Sequence, residues 1–295
     1  MPDNYTHKYN GQSALKIAAY TPRSYEAFIW GCNGPDILYC FKIYEAHRKD
    51  YMYNLAQCMH SEKTGLFLQN LFRFAQTNAQ KDYCLGFLCH YALDSVLHPY
   101  INYVTTAYNS PFNTEHGHCW FETALDSYIS YRETQSYAAD PKEYCPEIRK
   151  MFLDQIITLF KKAVEATYTD ISYDRNDYQQ SFYDFKKVKG WLYSPTENKV
   201  VLARPIEMAL GMDKGFIACR VQPCKKDLGH YPVWRNNLMG FFCTATLDEL
   251  LEKANQTAAD YINVGLEFFH GRYSAGDLLE DIGNKSYLTG AVIDV

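Results

Sequence analysis

The stretch that decides the fold is Gly86-Phe-Leu-Cys-His-Tyr-Ala-Leu-Asp-Ser-Val-Leu-His-Pro-Tyr100. Its apolar residues recur at helical spacing, and Tyr83, Leu85, Phe87, Leu88, Tyr91 and Leu93 extend the pattern into a helix from about Lys81 to His98, which Pro99 is expected to end. His90, Asp94 and His98 stand at i, i+4 and i+8. On a helix those positions span only about 80° of rotation, so three metal-capable side chains leave one rod in one direction. A second segment, Glu115-His-Gly-His-Cys-Trp-Phe-Glu-Thr-Ala-Leu-Asp-Ser-Tyr128, repeats the device with His118 and Glu122 at i and i+4. Two such helices face to face bring three imidazoles and two carboxylates around one small volume, a donor set that suits zinc. An aspartate in the middle of the triplet can bridge two ions with its two oxygens.

The plainer reading is that these are core or capping histidines, and for His47, His230 and His270 it is preferred. For the triplet it requires three polar groups to find separate partners in an apolar helix, each at about 1–3 kcal/mol if unmet. Coordination satisfies them together. His116, two residues from His118, is off the shared face and reads as a supporting residue rather than a ligand.

Further signals lie upstream. In Trp30-Gly-Cys-Asn-Gly-Pro-Asp-Ile-Leu-Tyr-Cys40, the Gly34-Pro35 turn presents Asp36 either to a cation or as the cap of the next helix. His60 precedes the Lys63-Thr64-Gly65 turn, and His7 lies near the start; alone, each is ambiguous.

The rest of the chain is also read as helical. An apolar stripe begins at Ala14, Leu15, Ile17 and Ala18 and ends near Thr21-Pro22; another holds Leu66, Phe67, Leu71, Phe72 and Phe74. Helices are expected from Cys119 to Tyr131 and from Ile148 to Val164, the latter with Met151, Phe152, Ile156, Leu159 and Phe160 on one face. Thr246-x-x-Glu249 is a capping box opening a helix with Leu247, Leu250, Leu251, Ala254, Ala258 and Ile262 inward. Residues 168 to 240 read as irregular, with Val200-Val201-Leu202 a short strand or extended loop. The expectation is one all-α domain, a multi-helix bundle over residues 1–295 with its metal site in 1–130.

Composition excludes several classes. The chain has 295 residues, 47% hydrophobic and 21% charged, with a formal net charge of −5, so general nucleic-acid binding is not expected. Its ten cysteines are scattered without a CxxC pair, and no apolar run reaches a membrane span. The start lacks a secretory pattern, and the cytoplasm is the expected compartment. The 26 tyrosines and 4 tryptophans supply much flat amphipathic surface. Among them Tyr91, Tyr100, Tyr103 and Trp120 lie close in sequence to the candidate ligands. They read either as an aromatic wall for substrate or as packing.

Taken together, His7, the Gly-Pro-Asp turn at Asp36, His60, the H-x3-D-x3-H-P run and the H-x3-E pair resemble the zinc-dependent phospholipase C / S1–P1 nuclease superfamily. The likeness is closest to its intracellular bacterial zinc-dependent phospholipase C proteins. It is dense over residues 1–130 and extends more weakly to the Tyr287-Leu288-Thr289-Gly290 ending. The resemblance implies an all-helical fold and a zinc cluster: Asp36, His60, His90 and Asp94 on one ion, His98, His118 and Glu122 on a second, and His7 with the bridging Asp94 on a third. It implies hydrolysis of phosphodiesters by a metal-activated water, with Asp36 as the candidate general base or water-orienting group. Two departures stand out. Secreted members bind the third ion through an N-terminal tryptophan, whereas this chain reads Met1-Pro2-Asp3. His98 also follows Asp94 more closely than in the secreted lipases. Two zinc ions are therefore expected and a third is a candidate, with Asp3 as one compensating ligand.

Rival readings remain: an S1–P1-like nuclease, or a helical metal-binding protein without turnover. A di-iron bundle needs paired E-x-x-H, met to the letter by Glu115/His118 and Glu267/His270 but without the further inward glutamates. The adjacent His-Asp of an HD-type hydrolase and the H-E-x-x-H of a zincin are absent.

Overall fold

The computed structural model describes residues 4–45, 49–169, 171, 173–237 and 239–293. His47 and Asp3 lie outside them. The helices in chain order are α1 (Asn4–Ile17), α2 (Tyr25–Cys32), a 3₁₀ turn (Gly34–Cys40), α3 (Tyr51–Ser61), α4 (Thr64–Phe74), α5 (Asn78–Thr106), α6 (Gly117–Thr134), α7 (Pro141–Tyr144), α8 (Lys150–Thr167), α9 (Arg175–Leu192) and α10 (Asn198–Ala209). After a second 3₁₀ turn (Ala218–Arg220) comes an antiparallel pair, β1 (Trp234–Arg235) and β2 (Phe242–Cys243), then α11 (Leu247–Phe269) and α12 (Ala275–Ile282). The fold is all-α, as the periodicity indicates.

The organising element is α5. Thr77 and Gln80 form a reciprocal capping box at its start, and the helix is buried along most of its length, sheathed by α1, α2, α6, α8 and α11. Against α2 the approach is backbone to backbone. A Cβ at Gly31 would stand 2.2 Å from Tyr83 O, and one at Gly86 2.0 Å from Phe28 O. This close crossing delivers the Gly34–Cys40 turn directly onto His90.

Three expectations are corrected. Pro99 does not end α5, which continues to Thr106. The proline leaves Ser95 O without its usual helical donor, and the backbone of Gly290 packs there, so close that a Cβ would lie 2.3 Å from that oxygen. Met151 is exposed, because it sits about 100° from Phe152 on the α8 surface, off the buried face of Leu153, Ile156, Ile157 and Phe160. Residues 168–240 are not wholly irregular. They contain α9 and α10, and Val200-Val201-Leu202 is helical: with no strand beside it among the described residues, its β-branched pair is overridden by the turn at Ser194, whose Oγ accepts from Lys199 N at 3.1 Å. α1 also begins ten residues before the apolar stripe at Ala14, which brings His7 into helix. The Thr246/Glu249 box caps α11 as read, and the ten cysteines are free thiols, seven of them buried.

Candidate metal centre

His90, Asp94 and His98 all have 0% exposure and point from α5 into one hollow. His118 and Glu122 reach it from α6, His7 from α1, Asp36 from the 3₁₀ turn and His60 from the last turn of α3. The residues assemble as three groups, the first two sharing His90: His7, Asp36 and His90; His60, His90 and Asp94; and, separately, His98, His118 and Glu122.

The spacings suit cation sharing. Asp94 Oδ2 lies 3.2 Å from His90 Nε2 and 3.8 Å from His60 Nε2, while its Oδ1 lies 3.3 Å from His7 Nε2. Asp36 Oδ1 lies 3.2 Å from His60 Nε2 and 3.8 Å from His90 Nε2. Glu122 Oε1 lies 2.7 Å from His118 Nε2 and 3.6 Å from His98 Nε2. Donors around a tetrahedral zinc with bonds of about 2.0–2.1 Å stand about 3.3 Å apart.

The backbone decides which imidazole nitrogen faces the hollow. His60 Nδ1 lies 2.6 Å from Ala56 O, His90 Nδ1 3.1 Å from Cys32 O, and His98 Nδ1 2.7 Å from Tyr287 O. A carbonyl can only accept, so each Nδ1 donates and each Nε2 is left as a lone-pair donor. Nε2 of His90 and of His98, both oxygens of Asp94 and Oδ2 of Asp36 make no hydrogen bond among the described residues despite being buried. Such atoms are costly in a dry interior unless something binds them. This chain's donors therefore fit zinc: imidazole nitrogens and carboxylate oxygens, preset and unspent.

Charge within the hollow is mutually adjusted. Burial acts to raise the Asp94 carboxyl, but the imidazoles of His90, His98 and His7 outweigh it and hold it well below the usual range. Burial likewise acts to lower His90, and Asp94 and Asp36 reverse the effect and raise it. Burial, assisted by His90, lowers His7, whose ring stacks on that of His90 at 4.0 Å. His118 is lowered chiefly by burial. Glu122 is held well below its normal range because His118 overcomes the burial penalty.

Three positioning features escape a reading of the histidine motifs. Gly34 adopts φ +53°, and a Cβ there would fall 2.4 Å from ring atoms of His90, so only glycine seats the Asp36 turn on that imidazole. Asp126 continues the α6 face at i+8 from His118. Its carboxylate accepts from Tyr5 N at 2.9 Å, Thr6 N at 2.7 Å and Thr6 Oγ1 at 2.6 Å, capping α1 across 120 residues and fixing the turn that carries His7. That extension of the His118/Glu122 spacing was visible in the sequence. The backbone of Tyr287 was not: it accepts from His98 and donates to His60 O at 2.8 Å, tying two ligand-bearing helices together.

A cleft of about 530 Å³ opens beside the hollow. Asp36, His118 and Glu122 reach it. Tyr39, Phe185, Val188, Leu192 and Phe216 give it apolar walls, and Lys189 and Arg220 give it cations. The aromatic wall expected from Tyr91, Tyr100, Tyr103 and Trp120 is not among its linings. Tyr91 is fully buried, its hydroxyl donating to the carbonyls of Ile282 and Gly283 and its ring stacked on Tyr261. Tyr100 and Tyr103 pack against Tyr231 and Trp234, and Trp120 lies under Lys226 Nζ at 4.1 Å. His116 caps α6 at the rim of the cleft, near Glu115 and Asp213. Glu267 and His270 instead meet Arg272 at the surface.

The sequence model of the zinc-dependent phospholipase C family matches residues 6–198, and the chain belongs to that family. It is a zinc-dependent hydrolase by class. No curated protein and no solved structure matches it. Among the described residues no helix is long and apolar enough to cross a membrane.

Proposed function

We propose that the protein hydrolyses the phosphodiester of a phospholipid, in the manner of a phospholipase C, with Asp36, His60, His90 and Asp94 holding one zinc, His98, His118 and Glu122 a second, and His7 with Asp94 serving a third. The observation that carries this reading is the cleft. Its floor is made of groups from two of the metal-capable clusters, and its walls combine cations for a phosphate with apolar surface for the start of a diacylglycerol.

Bound zinc would acidify water and neutralise charge on phosphoryl oxygens. The chain's own residues supply the rest. Asp36 Oδ2, buried and without a hydrogen-bond partner among the described residues, would orient the attacking water and accept its proton. Lys189 and Arg220 attract the diester's non-bridging oxygens. Phe185, Val188, Leu192 and Phe216 exclude bulk water and strengthen those attractions. Glu122 holds the His118 ring across the floor.

The test joins metal analysis to turnover. Purified protein should carry at least two equivalents of zinc and hydrolyse dissolved short-chain phosphatidylcholine to diacylglycerol and phosphocholine. Zinc at that stoichiometry with no hydrolysis of phosphatidylcholine, bis-p-nitrophenyl phosphate or single-stranded DNA would leave a binder without turnover. Preference for DNA would move the protein to the nuclease branch, and bound iron would favour a different site chemistry.

A further inference from the structure

Helix α9 has two faces with different surroundings. Phe185, Val188, Lys189 and Leu192, spaced at helical intervals, line the cleft. On its other side Tyr183 and Trp191 are each 51% exposed. Lys187 Nζ sits 4.0 Å from the centre of the Tyr44 ring and 4.7 Å from that of Trp191, an aromatic–cation cluster at the surface.

Helix α10 is fastened to this end of α9. Lys199 Nζ donates to the carbonyls of Trp191 at 2.9 Å and Tyr193 at 2.6 Å. Only Ala203 and Glu207 of α10 are buried. The Glu207 carboxylate accepts from the backbone of Gly215, Ile217 and Ala218 at 2.8–2.9 Å, pinning the loop that carries Phe216 and Arg220 into the cleft wall. α9 thus lines the cleft, and α10, none of whose residues lines it, braces both α9 and the loop that forms the opposite wall.

What α10 leaves in water is unusual for a globular surface. Val201 is 76% exposed, Met208 67%, Leu210 62% and Leu202 57%, with Ile206 beside them. A helix that buries an alanine and a glutamate and presents four large apolar groups outward, with Leu210 just past its end, leaves much apolar surface uncovered among the described residues. Of the cations near that face, Lys186 pairs with the exposed Glu147 and Arg204 with Glu207, while Lys187 rests on aromatic rings and Lys199 on backbone carbonyls. These lysines and the arginine form a partly neutralised basic rim beside the apolar side chains, in a chain of net charge −5. Exposed aliphatics, a tryptophan and tyrosines at the edge, and a lysine and arginine border are what an interfacial helix presents to a bilayer. Lysine and arginine at such a border are drawn to lipid phosphates.

We infer that the α9–α10 surface docks on a phospholipid bilayer, with Val201, Leu202, Ile206, Met208 and Leu210 entering the headgroup–acyl boundary and the basic rim meeting lipid phosphates. Docking there sets the cleft's lip against the membrane, so that a headgroup diester reaches Asp36 and His118 without leaving the lipid layer. The inference rests on the phospholipid reading above and adds to it how a bilayer substrate is reached.

The test uses the full zinc-loaded chain and a Val201→Ser, Leu202→Ser, Met208→Ser triple variant. All three side chains are on the surface, so folding should be unaffected. Wild type should co-sediment with vesicles of phosphatidylcholine containing a minority of phosphatidylglycerol. The triple variant should lose about 10-fold or more in vesicle binding and in hydrolysis of vesicle lipid, while its hydrolysis of short-chain phosphatidylcholine below the micellar concentration stays within about 2-fold. Lys187→Glu should weaken binding in the same direction and make the remainder less salt-sensitive. Wild type that hydrolyses the dissolved lipid yet never co-sediments overturns the inference, as does a triple variant that binds vesicles unchanged. A wild-type dimer converted to monomer by the triple variant, with vesicle binding unaltered, would assign the face to a second copy. Failure to hydrolyse the dissolved lipid counts against the phospholipid reading and leaves the sedimentation result to judge the surface.

Discussion

In α5, His90, Asp94 and His98 have no accessible surface; in α10, Val201, Leu202 and Met208 are mostly in water. Each helix contains an internal proline, Pro99 and Pro205, yet they invert the usual rule in opposite ways. α5 buries groups that cost free energy to desolvate, and α10 exposes groups that gain by leaving water. Both inversions lie near one cleft, the first in the hollow beside it and the second on the helix that braces its wall. A departure from ordinary partitioning that sits in a rigid, hydrogen-bonded frame marks a place where the missing partner is a ligand. In the first region we read that partner as a cation, facing nitrogens whose orientation their Nδ1 contacts fix. In the second it is a surface, against which no fixed geometry is required, and the helix holds only two buried anchors.

The largest effect that would break the comparison comes from Asp94→Ala. Removing the carboxylate that meets His7, His60 and His90 should release at least one zinc equivalent, read by elemental analysis, and lower diester hydrolysis more than about 100-fold. Full metal content and activity in this variant would sink the assignment of the floor.

Chelation should come next. Stripping the metal leaves buried carboxylates and imidazoles uncompensated, and the melting temperature should fall by several degrees and recover on adding zinc; ligand occupancy at 1,000 times Kd is worth about 4 kcal/mol. The α9–α10 variants, whose altered side chains lie on the surface, should show a chelator-induced shift the same size as wild type.

Asp126→Asn sharpens the contrast within the floor. Asparagine retains one acceptor for the first turn of α1, so the fold should lose only about 1 kcal/mol, as in other cap replacements. The sharper readout is zinc stoichiometry: the equivalent associated with His7 should weaken by about 10–100-fold while the other two persist. Equal weakening of all three would assign Asp126 a general structural role. Gly34→Ala should act similarly on the His90 side. Its Cβ would invade the imidazole position from a backbone of positive φ, costing about 1–3 kcal/mol in denaturant titration.

The smallest expected effect is at the lip. Gly190→Ala in α9 meets nothing within 4 Å and should stabilise the protein by about 0.5–1 kcal/mol through helix propensity, with metal content unchanged. A measurable change in zinc affinity would show that floor and lip are coupled.

Much of the floor is legible in the letters because a helix is a local object. The period of 3.6 residues places His90 with Asp94 and His98, and His118 with Glu122, whatever surrounds them. The capping box at Thr246 is legible for the same reason, whereas the one at Thr77 appears only in the structure, which starts α5 at Asn78 rather than near Lys81. Pro99 misleads because the consequence of a missing donor depends on what covers Ser95 O, and that is Gly290, nearly two hundred residues away. Tyr91 and Trp120 take the packing alternative, because nearness to a ligand in sequence says nothing about which side of a helix faces a cleft. Val200-Val201-Leu202 misleads because a strand preference is realised only where another strand exists to pair.

The sequence by itself determined the all-helical class, the two ligand-bearing faces and the zinc-type donor set, since each follows from short-range periodicity and side-chain chemistry. For His7, Asp36 and His60, which local pattern left ambiguous and only the family resemblance tied to the site, tertiary structure shows how they meet those faces; it alone decided that Asp126 and Tyr287 fix them and that α9 lines the cleft with α10 behind it. These are contacts between segments far apart along the chain, set by which apolar faces bury one another and where backbones can approach at Gly31, Gly34 and Gly86, and no local pattern encodes them.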